Sequence, residues 1–140
     1  PRIMTNCDML TRLLKEVDNE HNGITFCTGS YGTDRANDLC ETIHALKGRI
    51  HFAHVRNLKF HSEREFEEAA HLSADGDFDM YRIMKALYDI GFNGPIRPDH
   101  GRMIWGEKAM PGYGLYDRAL GAAYLNGLWE AIEKQSRFRY

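Results

Sequence analysis

At 140 residues and 43% hydrophobic content, the chain has the size of one ordinary domain and enough apolar mass for a packed core. A formal charge of −2, with Lys and Arg spread among acids, argues against a nucleic-acid surface. No run reaches the roughly 18 apolar residues of a membrane span and residues 1–6 lack a secretory pattern, so a cytoplasmic chain is expected, with Cys7, Cys27 and Cys40 as free thiols outside any C-x-x-C pair. Residues 5–21 read as a helix with Met9, Leu10, Leu13, Leu14 and Val17 on one stripe, a Thr5/Asp8 capping box at its start and Asn22-Gly23 at its end. A strand at 24–27 opens into a polar loop at 28–34, followed by a helix carrying Leu39, Ile43 and Leu46 and stopped by Gly48. A second strand at 50–55 leads into a long charged stretch. A third helix follows, with Met80, Ile83, Met84 and Leu87 on one face and Gly91 at its end. Residues 95–97 make the last strand, and beyond a loop at 101–114 a final helix shows the stripe Leu120, Ala123, Tyr124, Leu128, Ala131 and Ile132.

Strands separated by helices imply a parallel sheet with right-handed crossovers. No repeat or linker divides the chain, so residues 1–140 read as one unit. A whole eight-stranded barrel needs about 250 residues, and this chain supplies three strands and four helices. The fold class expected is α/β, as the C-terminal half of a TIM (β/α)8 barrel. A small open sheet is the alternative, but three strands would leave two long unpaired edges.

The three strands each end on a residue that can bind a metal: Ile24-Thr25-Phe26-Cys27, His51-Phe52-Ala53-His54 and Pro95-Ile96-Arg97-Pro98-Asp99-His100. In a parallel barrel the C-terminal strand ends form the rim where active sites are built. Alternate side chains of a strand share a face, so His54 should share the inner face with Phe52 and Arg56, Cys27 with Thr25, and Asp99 with Arg97. His51, Ala53 and Val55 should face the helices. The same rule sends His100 the other way unless the chain bends. Each ligand alone is weak; a lone Cys is more often a small buried hydrophobe.

The loops add further polar groups. Residues 60–72 form a long connection expected to act as a lid or binding loop, with His71 reaching substrate and Glu63, Glu65, Glu67 and Glu68 on a solvated face. Gly29, Gly32, Gly101, Gly112 and Gly114 suggest tight turns without a phosphate fingerprint. Tyr113, between Gly112 and Gly114, offers either a hydroxyl acid or a packing ring. Trp105 and Tyr116 are expected to be structural, and His21 and His44 to lie on the surface.

Five runs in order, His54-Val55-Arg56-Asn57, Glu68-Ala69-Ala70-His71-Leu72, Gly76-Asp77-Phe78-Asp79-Met80-Tyr81, Arg97-Pro98-Asp99-His100-Gly101-Arg102 and Pro111-Gly112-Tyr113-Gly114, resemble the C-terminal part of the mannonate dehydratases. The resemblance covers nearly the whole chain. It implies a xylose-isomerase-like barrel and a hydro-lyase that converts D-mannonate to 2-keto-3-deoxy-D-gluconate in hexuronate breakdown, using Mn²⁺ or Fe²⁺. By that resemblance Cys27, His54 and Asp99 are metal ligands, His100 and Tyr113 transfer protons, and Arg56, Asn57 and His71 line the substrate pocket. A further histidine ligand and the first strands would precede Pro1. The partners implied are a sugar acid and either a second copy of the chain, as a dimer, or the missing N-terminal half of the barrel. Two other readings share the rim residues: a metal-dependent sugar isomerase or epimerase, and a non-catalytic module in which the metal serves folding alone.

Overall fold

A computed structural model describes residues 3–137. Among them the parallel sheet contains strands β1 (Ile24–Cys27), β2 (Ile50–His54) and β5 (Ile96–Arg97), in the order β1-β2-β5. Helices α1 (Cys7–Glu16), α3 (Leu39–Ala45), α4 (Met80–Asp89) and α5 (Leu115–Arg137) contribute to one core with one face of it, and the expected alternation of strand and helix is present. The register aligns Cys27 with His54 and His54 with Arg97, which sets three strand ends level.

Side-chain parity divides the sheet. Ile24, Phe26, Ala53 and Val55 join Leu10, Leu14, Ile43, Leu46, Met84, Leu87 and Ile132 in one core, while Cys27, His54 and Arg56 belong to the opposite face. Phe26, Ile43 and Leu87 are fully buried, each stabilising the fold by about 1.5–3 kcal/mol relative to exposure. His51, expected among the helix-facing residues, is exposed at the start of β2.

Helix ends follow capping chemistry. In α1 the cap is Asn6 rather than Thr5: its side chain accepts from the Met9 amide, so the helix begins two residues later than expected and no Thr5/Asp8 box forms. Only Leu10 and Leu14 of its stripe are buried; Met9 and Val17 are exposed. Asp38 and Asp79 cap α3 and α4 in the same way, each by accepting an amide three residues on. Gly48 and Gly91 close those helices at positive φ, 78° and 72°.

Two segments depart from the expected connections. The polar loop after β1 begins with a short helix, α2 (Thr28–Tyr31). The charged stretch after β2 is an antiparallel hairpin, β3 (Asn57–Ser62) and β4 (Glu65–Ala69), closed over Glu63-Arg64. That turn has no Gly or Asn, so the usual hairpin signal is missing. The stripe of α5 holds in part: Ile132 is buried and Tyr124 and Leu128 pack against the core, whereas Leu120, Ala123 and Ala131 face out and Asp117, Gly121 and Leu125 are buried instead. Hydrophobicity could not mark that face, because a glycine and a charged residue occupy it.

Candidate metal centre

The rim gathers three donors of different kinds. Cys27 ends β1, His54 ends β2, and Asp99 lies two residues past β5; one donor atom of each lies within 4.8 Å of the others. Asp99 is the hub. Its Oδ1 is 3.2 Å from His54 Nδ1 and accepts from Arg97 Nη2 at 2.9 Å, while its Oδ2 is 3.0 Å from Arg56 Nε and accepts from the Cys27 thiol at 3.5 Å. Arg97 and Asp99 share a face, as do His54 and Arg56, as parity requires. Phe52 backs the imidazole edge-on, with ring centroids 4.6 Å apart.

A thiol, an imidazole and a carboxylate in one cluster, with Cys27 and Asp99 buried and His54 half-buried, suit a divalent transition ion. The His54 ring supports this fit: its Nε2 is buried with no hydrogen-bond partner among the described residues. Burial holds the His54 pKa below its ordinary value, reinforced by Arg97 and Arg56 and opposed by Asp99. The ring is therefore biased toward the neutral form that can ligate.

His100 joins the same cluster because the chain bends. Asp99 has φ 54°, a left-handed conformation that Asp tolerates better than most residues. The bend brings the His100 ring back to the rim, where Nδ1 is 2.8 Å from Glu68 Oε1 and Nε2 is 3.9 Å from Asp99 Oδ2. Tyr113 stands beside it, ring centroids 6.3 Å apart, and is half-exposed. Its loop is pinned by Gly101 and Gly114: the Gly114 amide donates to the Gly101 carbonyl at 2.9 Å, and a Cβ on Gly114 would lie 1.9 Å from the Arg102 carbonyl oxygen.

Arg56 is 7% exposed and lies between two acids, with Nε toward Asp99 and Nη1 on Glu68. Glu68 was expected on a solvated face; instead it is half-buried and pairs with both Arg56 and His100. Strand alternation accounts for it, since β4 aligns Glu68 with the fully buried Leu58 of β3, while Glu63, Glu65 and Glu67 are exposed. Reading the stretch as two strands would have found it. Thr28 was also missed. Its hydroxyl donates to the Arg56 carbonyl at 2.7 Å and accepts from the Arg56 amide at 2.9 Å, tying the end of β2 to α2.

Asn57 and His71 are buried and bonded to backbone. Asn57 donates to the Leu72 carbonyl at 2.9 Å and accepts from the Phe78 amide at 3.0 Å; His71 Nε2 is 2.6 Å from the Pro98 carbonyl oxygen, one residue before Asp99. Trp105 and Tyr116 pack on each other, centroids 5.6 Å apart, although both are exposed. His21 and His44 are exposed, as expected. No helix among the described residues is long and apolar enough to cross a membrane.

Known proteins match nearly the whole chain. A family model described as D-mannonate dehydratase (UxuA) matches residues 1–139. Mannonate dehydratases of Brachyspira hyodysenteriae and Thermotoga maritima are each 60% identical over 98% of this chain, which spans 39% of their length. A solved mannonate dehydratase from Streptococcus suis serotype 2 superposes with a TM-score of 0.92 at 48% identity, covering 97% of this chain and 40% of that one. A xylose isomerase domain protein from Planctomyces limnophilus, at 20% identity and TM-score 0.69, shares the fold, that of the xylose-isomerase-like TIM barrels. The chain thus spans about two fifths of the relatives it matches, and with the ordered runs and the rim they lead to, it belongs to the D-mannonate dehydratase family.

Proposed function

We propose that the complete protein dehydrates D-mannonate to 2-keto-3-deoxy-D-gluconate, and that this chain supplies Cys27, His54 and Asp99 to a bound Mn²⁺ or Fe²⁺ at the barrel rim. The observation that carries the reading is the convergence of those three donors with His100 and Tyr113 at one strand-end face, in a chain of this family.

The reaction removes a proton from C2 and a hydroxyl from C3, and the enol that results rearranges to the 2-keto acid. A C2 proton beside a carboxylate is very weakly acidic. The bound ion would act as a Lewis acid toward the charge that develops there. The chain's own residues supply the rest. His100 and Tyr113, side by side, take the C2 proton and deliver one to the departing C3 oxygen; each such transfer is worth typically 10²–10⁴-fold. Arg56, with Nε toward Asp99 and Nη1 on Glu68, keeps Nη2 to donate to the substrate carboxylate. Asn57 and His71 shape the pocket from beneath by holding the Leu72, Phe78 and Pro98 backbone.

The test is to incubate the complete protein with D-mannonate and Mn²⁺ and to look for a 2-keto-3-deoxy acid, with Cys27→Ser and a chelator as controls. Product from the wild type alone supports the reading. An interconverted sugar acid without loss of water would identify an isomerase or epimerase instead. Absence of product with every divalent ion would leave the ion a role in folding only.

A further inference from the structure

We propose that Glu68 is a positioning residue that holds His100 as its Nδ1–H tautomer and so makes Nε2 the nitrogen that accepts the substrate proton. The substrate part rests on the dehydratase reading; the tautomer does not.

The argument starts from one oxygen. Glu68 Oε1 lies 2.8 Å from His100 Nδ1 and also accepts from Arg56 Nη1, which itself stands 3.3 Å from His100 Nδ1. A carboxylate only accepts and a guanidinium only donates. If Nδ1 carried a lone pair, two acceptors would face each other at 2.8 Å. With the proton on Nδ1, the short contact becomes a charge-assisted hydrogen bond, and Arg56 directs one of its two Nη1 protons to the same carboxylate. The second arrangement satisfies both donors. In the neutral ring Nε2 is then the acceptor, and at 3.9 Å from Asp99 Oδ2 it lies beyond hydrogen-bond reach of that carboxylate.

This assigns the two proton transfers. The Nε2 lone pair takes the C2 proton, the C–H electrons form the C2=C3 bond, and the C3–O bond breaks as the leaving hydroxyl takes the Tyr113 phenolic proton and departs as water. Solvent returns one proton to Tyr113 and removes one from His100. Glu68 touches neither reacting carbon; it acts through the orientation and tautomer of the ring, a role that buried acids beside catalytic histidines fill elsewhere.

The experiment uses the complete protein with ¹⁵N-labelled histidine, the His100 ring being identified by the signals that His100→Asn removes. The expected wild-type pattern is a protonated Nδ1 and an unprotonated Nε2. In Glu68→Gln the side-chain oxygen stays with Arg56 and its NH₂ group meets Nδ1, so the protonated nitrogen should change. With D-mannonate, Glu68→Gln should lower kcat by about 10²-fold, within the range of a lost proton transfer, and leave KM within about threefold, whereas Glu68→Asp should recover part of the loss. A wild-type ring protonated at Nε2 overturns the proposal, as does a Glu68→Gln protein with unchanged kcat. If the wild type turns over no mannonate, the dehydratase reading fails, and the ring nitrogens of the wild type still decide the tautomer without any variant.

Discussion

The Arg56 guanidinium lies where a side chain on Gly29 would be: an ideal Cβ there would come within 2.1 Å of Arg56 Nε. Gly76 and Gly121 stand in the same relation to Asn57 and His71, at 2.4 Å and 2.5 Å. Three polar residues of the rim region therefore each depend on a missing methyl group. Gly29→Ala should displace Arg56 from Asp99 and Glu68 rather than unfold the chain, because the obstructing atoms end a flexible side chain. In the complete protein kcat/KM should fall by at least about 10-fold, as small misplacements in a site do, while Tm moves by a few degrees. Thermal unfolding and steady-state kinetics on the same sample check this; a Tm collapse with intact specific activity would refute it.

Arg56→Lys tests that donor. Lysine keeps the charge but offers one donor group in place of a planar guanidinium. The expected result in the complete enzyme is a KM for D-mannonate raised by about 10-fold or more, the order of one charge-assisted hydrogen bond, with a smaller change in kcat. An unchanged KM would remove Arg56 from carboxylate binding.

Cys27→Ser replaces a soft thiolate by a hydroxyl that ionises far less readily, at a position 8% exposed and in contact with Asp99. Metal affinity, followed by titration calorimetry and by metal content after dialysis, should fall by at least about 100-fold, beyond the usual cost of losing a supporting residue. Retention of one ion per chain at wild-type affinity would take Cys27 out of the ligand set.

Asp117 supplies a pH prediction away from the metal. It is 3% exposed, in the first turn of α5, and accepts from the Arg102 amide at 2.8 Å and from Nε and Nη2 at 3.0 Å. Burial pushes its carboxyl up, but the Arg102 hydrogen bonds and charge outweigh burial and hold it below the ordinary Asp value. A depressed carboxyl pKa stabilises the fold above the unfolded value and loses that contribution as pH falls through the folded one. Because the Arg102 side chain is 41% exposed, the contact is worth about 1 kcal/mol rather than the full value of a buried pair. Asp117→Asn should lower Tm by a few degrees at pH 7, and the gap should narrow below about pH 4. A gap of constant size down to pH 2.5 would contradict the assignment.

The strand ends were legible because apolar runs and strand parity are local properties. Ile24-Thr25-Phe26-Cys27 and His51-Phe52-Ala53-His54 place their last residues without reference to the rest of the chain, and the register of β1, β2 and β5 brings those ends level. The hairpin was not legible, since Glu63-Arg64 carries no turn signature and charges at 63–68 resemble a solvated stretch. Glu68 was lost with it.

By itself the sequence determined the alternation of strand and helix, the candidate donors Cys27, His54 and Asp99, and the family resemblance, all of which follow from residue types at fixed spacing. Only the tertiary structure decided which polar residues meet. His100 reaches the rim through the left-handed bend at Asp99, Glu68 through pairing of β4 with β3, and Arg56 through space left by Gly29. The side chains so joined, Glu68 with Arg56, Gly29 with Arg56 and Glu68 with His100, lie 12 to 32 positions apart in the chain. A strand register and a missing Cβ act between segments, so alternation within one segment could suggest which side chains share a face but not which partners they meet.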